Sequence, residues 1–446
     1  GLFTQMDGVN PYTNYTENST ALGILQTGAT PSDISGAVID QKIQKLLYLS
    51  STQMIGLGYN GDVYDINPTT DVPALADSGT GARTLTALVN GFISSAGGTL
   101  YLYYIHRNGI GRWNFASNWY AGDAWNTALT AQDVHPVYFW ENTWWIGNQS
   151  SVAKFDSSAA ITASALALPA RSLVTSFTDD GYHLVAGVND VSAKPSGGLG
   201  QARIYFWIGG GAQWQQEWAL PEPYIQNLYN IGGTLYAVGN KAIYTFSVST
   251  SPRKIIDLDS THTTPYDSTN LYPLCNVTDR VGDALIWGGA GYYISSLGKI
   301  NARTPSAYMT PWMLPSVATS IESLLVVGSK IYVGSNNSKL YTINTASSGN
   351  TSPNPVALTR WIDLKGTFDI KNIDFDFASV LASGDVLELT LTNQKNQTST
   401  ATISFATYGA QYSLKLPITL TEIKRLRMQL TFSGGNVRIY SVTING

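Results

Sequence analysis

The sequence predicts an all-β protein in which a β-propeller is followed by an antiparallel β-sandwich. A short motif recurs about every 46 residues over most of the chain, and a strict alternation of apolar and polar residues replaces it near the C-terminus. The composition agrees, since only 13% of the residues are charged and glycine and tyrosine are abundant. At 446 residues the chain exceeds one ordinary core, so more than one folding unit is expected.

An N-terminal arm, residues 1–41, precedes the repeats. Asn, Thr, Ser, Gly and Pro dominate the arm, and its apolar residues, such as Leu22 and Ile24, are isolated. A segment of this composition has no core of its own, so we expect it to lie against the flank of its own domain or against another chain. The chain opens with neither a charged region nor an apolar run, so no signal peptide is expected.

The recurring motif covers residues 42–358 and predicts a propeller of seven blades. In each copy a small apolar strand runs into a glycine or a turn, and a second strand follows that ends in a large apolar residue. Clear copies are Met54–Gly58 with Val63–Ile66, Trp144–Gly147 with Val152–Phe155, Leu235–Gly239 with Ile243–Phe246, and Ile331–Gly334 with Leu340–Ile343. One four-stranded blade per copy is typical of propellers at this period. Insertions at 188–202 and 247–272 fall on connecting loops, where propellers usually carry function.

Residues 359–446 predict the sandwich. Apolar residues occupy every second position in Ile373–Phe377, Leu387–Leu391 and Leu426–Phe432, as in strands that are buried on one face. Turn residues at Ser383–Asp385 and Ser433–Asn436 separate such strands. We expect a compact antiparallel sandwich with a few residues of helix or turn around Leu420–Lys424.

Charge and cysteine content exclude several classes of protein. A formal net charge of -4 and a pI of about 5.6 argue against a nucleic-acid-binding surface, which needs a basic face. No apolar run reaches the roughly 18 residues of a membrane span. Cys275 is the single cysteine, so no intrachain disulfide forms, and we interpret it as a small buried hydrophobe.

The search for catalytic, metal and cofactor motifs is negative. His106, His135, His183 and His262 fall in different copies of the repeat, and none is spaced for zinc binding. Asp179 and its neighbour Asp180 precede a glycine in a predicted hairpin turn, where adjacent side chains point apart. No nucleophile elbow and no phosphate-binding glycine loop occurs. The sequence therefore predicts no catalytic residue, no metal, no cofactor and no enzymatic activity.

Tryptophan is concentrated in one third of the chain, from Trp113 to Trp218. Two interpretations stay open. The rings wedge between neighbouring blades, or they offer stacking faces to a glycan or a protein partner. Under the second interpretation the candidate contact residues are Trp113, Trp119, Tyr120, Trp125, Trp214 and Trp218.

The order of parts resembles a known group of proteins. The arm contains Met6-Asp-Gly-Val-Asn-Pro11, the repeats contain strands such as Ile331–Gly334, and the last unit begins Trp361-Ile-Asp-Leu364 and closes Phe432–Val442. In this order the chain resembles virion proteins of tailed bacteriophages, namely the propeller-bearing proteins of the tail tube, nozzle or tip. The resemblance carries over no catalytic residue.

The resemblance implies a structural protein that is made in the host cytoplasm and located in the virion. It implies assembly in several copies around a tail or portal axis, with copies of itself and other virion proteins as partners. The N-terminal arm would dock on a neighbouring subunit, and host-surface glycan is a further expected contact. The alternative from the residues alone is a secreted glycan-binding, lectin-like or glycan-cleaving propeller.

Overall fold

The computed structural model describes most of the chain and confirms the predicted fold class. The described residues are 3–7, 9–13, 24–27, 31–77, 88–107, 109–115, 119–120, 125–132, 134–156, 160–190, 200–239, 242–257, 278–281, 284–288, 293–299, 306–315, 318, 320–344, 356–359, 361–434 and 437–445. Within these ranges the regular secondary structure is almost entirely β-strand. The sole helix among them has four residues, and no helix there is long and apolar enough to cross a membrane.

The N-terminal arm forms four strands, which are β1 (Phe3–Asp7), β2 (Val9–Thr13), β3 (Ile24–Thr27) and β4 (Ser32–Asp33). The hairpin β2–β3 and strand β1 pair with strands near the C-terminus, as described below. Strand β4 instead joins the last blade of the propeller. In this structure the described part of the arm therefore lies on its own chain.

Six four-stranded antiparallel sheets, together with four antiparallel strands of a larger sheet, form seven blades within the described residues. Blades one to three are β5–β8 (Ile43–Ser50, Gln53–Gly58, Val63–Asn67, Val72–Asp77), β9–β12 (Leu88–Ala96, Thr99–His106, Gly109–Asn114, Trp119–Tyr120) and β13–β16 (Val137–Trp140, Thr143–Asn148, Ser151–Phe155, Ile161–Ala167). Blades four and five are β17–β20 (Ser172–Asp179, Leu184–Asp190, Arg203–Trp207, Gln216–Ala219) and β21–β24 (Ile225–Ile231, Thr234–Gly239, Ala242–Phe246, Arg253–Asp257). Blade six is β25–β28 (Thr278–Val281, Ala284–Trp287, Tyr293–Lys299, Ser306–Met313), and blade seven is β29–β31 (Ile321–Val327, Lys330–Ser335, Lys339–Asn344) with β4.

The ring closes between blade seven and blade one. Strand β4 pairs with β31 of blade seven, so the N-terminal side of the chain supplies the outermost strand of the C-terminal blade. The hydroxyl of Ser323 donates to the backbone carbonyl of Ile43 at 2.6 Å across the junction. Lys330 and Tyr332 of blade seven donate to Asp71 in the outer hairpin of blade one, at 2.7 and 2.6 Å. Hydrogen bonds thus join the two ends of the ring.

The glycine of the recurring motif lies where two blades meet. A Cβ atom on Gly334 would lie 2.5 Å from Ser323 Oγ and 2.8 Å from the carbonyl oxygen of Ile43 in the next blade. A Cβ atom on Gly288 would lie 2.5 Å from Ile321, which is also in the next blade. Real Cβ atoms do not approach this closely, so the repeat keeps glycine because the next inner strand packs directly on its backbone.

The C-terminal unit contains β32 (Val356–Thr359), β33 (Ile362–Phe377), β34 (Val386–Asn393), β35 (Thr398–Ser404), β36 (Ser413–Gly434) and β37 (Arg438–Asn445). The first half of the long strand β36 pairs with β33, which pairs with β37. Its second half pairs with β34 on one side and with β32 on the other. One strand therefore belongs to both layers of the sandwich and changes layer at a bend.

The bend in β36 lies where the sequence suggested helix or turn. Leu420–Lys424 is strand, and Glu422 has a φ of 53°, so a bulge bends the strand there. The helix α1 is found instead at Phe405–Tyr408, where the Ser404 hydroxyl caps it by accepting from the Thr407 backbone N–H at 3.2 Å. The prediction of helix or turn at 420–424 was wrong because short polar runs fit a bulge as well as a turn.

The arm pairs with one edge strand of each sandwich layer, whereas β35 pairs with β34 alone. Strand β1 pairs antiparallel with β32, from Phe3 opposite Thr359 to Asp7 opposite Val356, and Asp7 also pairs with Thr310 of blade six. The hairpin β2–β3 extends the other layer, because β3 pairs with β37. One continuous sheet therefore runs from blade six through β1 into the sandwich.

Candidate functional site

The central channel of the propeller contains a cavity of about 290 Å³. Its wall comes from the first strands of blades one to five, together with Pro136 just before blade three. The lining residues are Lys45, Asn90, Pro136, Val137, Tyr138, Thr175, Ser176, Phe177, Thr178, Asn227, Leu228, Tyr229 and Asn230. Most of these side chains are polar, which is unusual for the inside of a folded domain. We call this space the channel cavity.

Backbone contacts hold the amide side chains of the wall in fixed orientations. Asn90 donates from Nδ2 to the carbonyl of His135 at 2.8 Å and accepts from the Gly91 N–H at 2.9 Å. Asn230 donates to the carbonyl of Asp179 at 2.8 Å and accepts from the Gly233 N–H at 2.9 Å. Each bond pair fixes which end of the amide is donor and which is acceptor.

Tyr138 is tied to the neighbouring blade. Its hydroxyl donates to Asp179 Oδ2 at 2.5 Å, which links the first strands of blades three and four. Burial raises the pKa of the Tyr138 phenol above its usual range, and the Asp179 carboxylate raises it further. The tyrosine is therefore a neutral donor at physiological pH, and its ring forms a fixed part of the wall.

Two further groups define the chemistry of the wall. The Ser176 hydroxyl oxygen is buried against Gly187 of the adjacent strand and has no hydrogen-bond partner among the described residues. Lys45 is the one charged residue among the described residues that line the cavity. Asp279 attracts Lys45 electrostatically, and both oxygens of Asp279 accept backbone N–H groups, from Val326 at 2.7 Å and from Arg280 at 2.8 Å. The lining thus combines an ammonium group with hydroxyls, amides and three aromatic residues.

The tryptophans that the sequence singled out do not form one surface. Trp113 is buried among residues of blades one and two and packs edge-on against Phe115, so it wedges between blades and offers no contact face. Trp125 is half-buried, with the Arg112 guanidinium 5.1 Å from its ring centre.

The other predicted contact residues lie on the outermost strands of two blades or, for Trp214, just before such a strand. Trp214 is half-buried against Tyr205, with ring centres 4.9 Å apart, and Trp218 donates from Nε1 to the carbonyl of Ser247 at 2.9 Å. Trp119 and Tyr120 form β12, the outermost strand of blade two, and their side chains lie outside the described part of the structure. Packing between blades explains the position of Trp113. Contact of the other five residues with a glycan or a protein partner stays a prediction.

His135 lies in a buried junction between blades two and three. Its Nδ1 is 2.7 Å from the Gly147 carbonyl, which it reaches only as a donor. Gln132 donates to the same carbonyl at 2.9 Å. Burial lowers the pKa of His135 to about 4, so the ring is neutral at physiological pH. This histidine holds the junction together and is separate from the channel cavity lining.

The other acidic and histidine residues give no second site in the described residues. No group of three or more His, Cys, Asp and Glu is placed there to hold a metal ion. Asp180 accepts from the backbone N–H groups of Tyr182 and His183, at 3.0 and 2.6 Å, which is the turn geometry that the sequence indicated. His262 and Cys275, with most of the two insertions, lie outside the described residues.

Sequence comparisons give no relative from which a function could be taken. No protein family matches the chain. No curated protein matches it either.

Solved structures show similarity of fold at low identity. The computationally designed protein Ika8 is 11% identical with a TM-score of 0.44, over 77% of this chain and 100% of that one. Virginiamycin B lyase from Staphylococcus aureus is 13% identical with a TM-score of 0.49, over 71% and 98%. The WD40 β-propeller domain of Doa1 is 11% identical with a TM-score of 0.48, over 71% and 96%. Similarity at this level transfers no activity to this chain.

Proposed function

We propose that this protein is a structural component of a tailed-bacteriophage virion, associated with the tail, and that it acts by assembly with neighbouring subunits. The observation that carries the proposal is the path of the arm. Strand β1 lies between β32 of the sandwich and β28 of blade six, so the arm joins two folded units into one continuous sheet. A joint of this kind suits a subunit that must keep its shape in a large assembly.

The arm also supplies a route to assembly. It covers one edge of each sandwich layer, and an uncovered sheet edge pairs readily with another chain. The same backbone pairings form when the arm of one copy covers the edges of the next copy, which is domain swapping. The proposal is therefore that arms are exchanged between copies in the assembled particle, with other virion proteins as additional partners.

Paired cysteines test arm exchange directly. Gln5 lies opposite Leu358 in the β1–β32 pair, and opposed residues of an antiparallel pair have the Cα separation that a disulfide needs. In a Cys275→Ser background, Gln5→Cys with Leu358→Cys is expected to give covalent oligomers on oxidation of the assembled protein. Native mass spectrometry of the unmodified full chain is expected to show one discrete oligomer.

The matched control places the cysteines within one sandwich. Thr390 lies opposite Gln429 in the β34–β36 pair, so Thr390→Cys with Gln429→Cys should link only within a chain. If the arm pair also gave only intrachain bonds, arm exchange would be contradicted. A monomer at every concentration by native mass spectrometry would contradict the assembly role as a whole.

A second candidate is a glycan-binding role, with or without cleavage, and the polar wall of the channel cavity favours it. A broad panel of polysaccharides separates the alternatives. The structural role expects no release of reducing ends, whereas release from any member would replace it with a glycan-cleaving activity. Binding without release is compatible with host-surface contact by an assembled virion.

A further inference from the structure

We propose that strand β35, Thr398–Ser404, forms a two-fold interface with the same strand of a second copy of this chain. Two antiparallel β35 strands then join the sheets of two sandwiches into one. The inference goes beyond the proposed function, because it concerns an edge that the arm leaves unpaired and stands without arm exchange. It rests on the open edge, on the absence of protection there, on the fixed shape of the hairpin and on the uncharged sequence of the strand.

Strand β35 is an open edge of the sandwich. It pairs with β34 over its whole length, from Thr398 opposite Thr392 to Ser404 opposite Val386, and with no other strand of the described residues. In an antiparallel pair every second residue directs its backbone N–H and C=O groups away from the partner strand. The outer side of β35 therefore presents a row of backbone donors and acceptors to which a further strand can bond.

The arm leaves a second edge of the sandwich uncovered, and that edge is protected. It is the first half of β36, which pairs with β33 alone among the described strands and contains Lys415, Pro417 and the bulge at Glu422. Charged residues, proline and bulges are features by which proteins keep an edge from pairing. Strand β35 has no charged residue and no proline, and its register with β34 has no bulge. The contrast indicates that β35 is an edge that accepts a partner.

The hairpin that carries β35 is held in shape at both ends of the strand. The buried Asn393 accepts from the backbone N–H groups of Lys395 and Gln397, at 2.9 and 3.0 Å, and donates to the Gln397 side chain at 2.7 Å. At the other end, the Ser404 hydroxyl accepts from the Thr407 backbone N–H and caps α1. A strand that is already fixed loses little conformational entropy when it pairs.

The sequence of β35 suits pairing with a second copy of itself. A two-fold axis at Ala401, the central residue of the strand, places Thr400 opposite Thr402 of the second copy. Both threonines are exposed, and cross-strand Thr–Thr pairs stabilise a sheet. A two-fold contact brings the same residues of both copies together, so a charged edge repels its own copy. An uncharged strand has no such repulsion to overcome.

The size of the contact sets its strength. Strand β35 contributes seven residues, whereas a standard stable interface has about 20–30 residues a side. The pairing is therefore weak in the free chain, and we expect a dimer whose proportion rises with protein concentration. Where other contacts already hold copies close together, the same pairing gains from the higher effective concentration.

Two pairs of charged substitutions test the two-fold register by sedimentation velocity of the full chain over a concentration series. Thr400→Lys with Thr402→Lys places lysine opposite lysine across the axis, and the dissociation constant should rise at least about tenfold. Thr400→Lys with Thr402→Glu places lysine opposite glutamate and should associate at least as tightly as the unmodified chain. Because both side chains are exposed, calorimetry should show a folded sandwich in each variant.

The matched control is Thr419→Lys with Thr421→Lys, two exposed threonines of the same spacing on the protected edge, and it should change nothing. The Lys–Lys pair on β35 should halve the mass of the largest species, whether that species is a dimer or a larger oligomer built by exchanged arms. The cysteine pair at Gln5 and Leu358 reports arm exchange separately, so a failure of one contact is distinguishable from a failure of the other.

Three outcomes would overturn the proposal. The first is an unmodified chain with the same mass as the Lys–Lys variant at every concentration, which would mean that the edge stays unpaired or receives a strand of a different protein. The second is equal weakening by the Lys–Lys and Lys–Glu pairs, which would exclude the two-fold register. The third is equal weakening by the control on the protected edge, which would attribute the effect to added charge in general.

Discussion

The propeller and the sandwich bury their apolar side chains in different ways. The propeller has several separate clusters, each of which lies between neighbouring blades, such as Trp140, Trp145 and Trp207 between blades three and four. The sandwich has one cluster that includes residues from all of its long strands. The stability of the propeller is therefore close to the sum of the packing energies at the junctions between neighbouring blades. In the sandwich, a substitution in the single core affects the whole unit.

The largest expected effect is in the undivided core. Phe375 is fully buried in the sandwich and stacks on Phe377, with ring centres 6.1 Å apart. Phe375→Ala should lower the free energy of unfolding of the sandwich by about 4 kcal/mol and leave the propeller transition in place. Differential scanning calorimetry measures both transitions. Phe368→Ala is the control in the same strand, since Phe368 is 48% exposed, and equal losses in the two variants would refute the single-core description.

The junction between blades two and three should give the propeller a pH dependence. Burial lowers the pKa of His135 to about 4, below the ordinary value of 6.5, so the unfolded chain binds more protons between these values. The contribution of His135 to stability is complete above pH 6.5 and is lost as the pH falls towards 4, with a total of about 3 kcal/mol.

His135→Asn tests this pH dependence, because its amide still donates to the Gly147 carbonyl but does not titrate. Urea unfolding of the propeller at pH 7, 5.5 and 4.5 should show a smaller decrease for the variant than for the wild type. Parallel decreases would show that protonation of His135 contributes nothing.

Blade packing itself is tested at the motif glycine. Gly334→Ala places a Cβ atom 2.8 Å from the backbone oxygen of Ile43. A backbone oxygen cannot move away by a change of side-chain rotamer. The expected loss is about 2 kcal/mol from strain at the junction of blades seven and one. Gly210→Ala is the control, because nothing lies within 4 Å of its added Cβ atom. Thermal denaturation should give a lower melting temperature for Gly334→Ala than for Gly210→Ala. Equal melting temperatures would show that the junction accommodates the added methyl group without loss of stability.

The sequence predicted the propeller better than the arm or the channel cavity. Every blade except blade two repeats both the apolar strand and the glycine of the motif, because those junctions share one packing requirement. Ser32–Asp33 completes blade seven with only two residues, and such a short strand has no periodicity to detect. The residues of the channel cavity come from five strands and share no motif, so only the folded ring brings Lys45, Ser176 and Asn230 together.

The smallest expected effect compares two ion pairs, one in each region. Asp71 accepts from Lys330 and Tyr332 across the propeller junction, at partly buried positions. Lys395 and Glu422 form an exposed pair on the sandwich, at 2.5 Å. Water and salt screen the exposed pair, whereas the junction pair is backed by a buried tyrosine hydroxyl.

Asp71→Asn should therefore lower the stability of the propeller by about 1 kcal/mol, because the amide keeps the shape and the left-handed φ of 58° but loses the charge. Lys330→Met should cost a similar amount, and the double variant should lose less than the sum, since both changes remove the same interaction. Lys395→Met should leave the melting temperature of the sandwich unchanged. Chemical denaturation at low and at high salt measures all four variants. Additive losses at the junction would mean that the two ends of the ring are held by packing and by strand β4, without help from this charge pair.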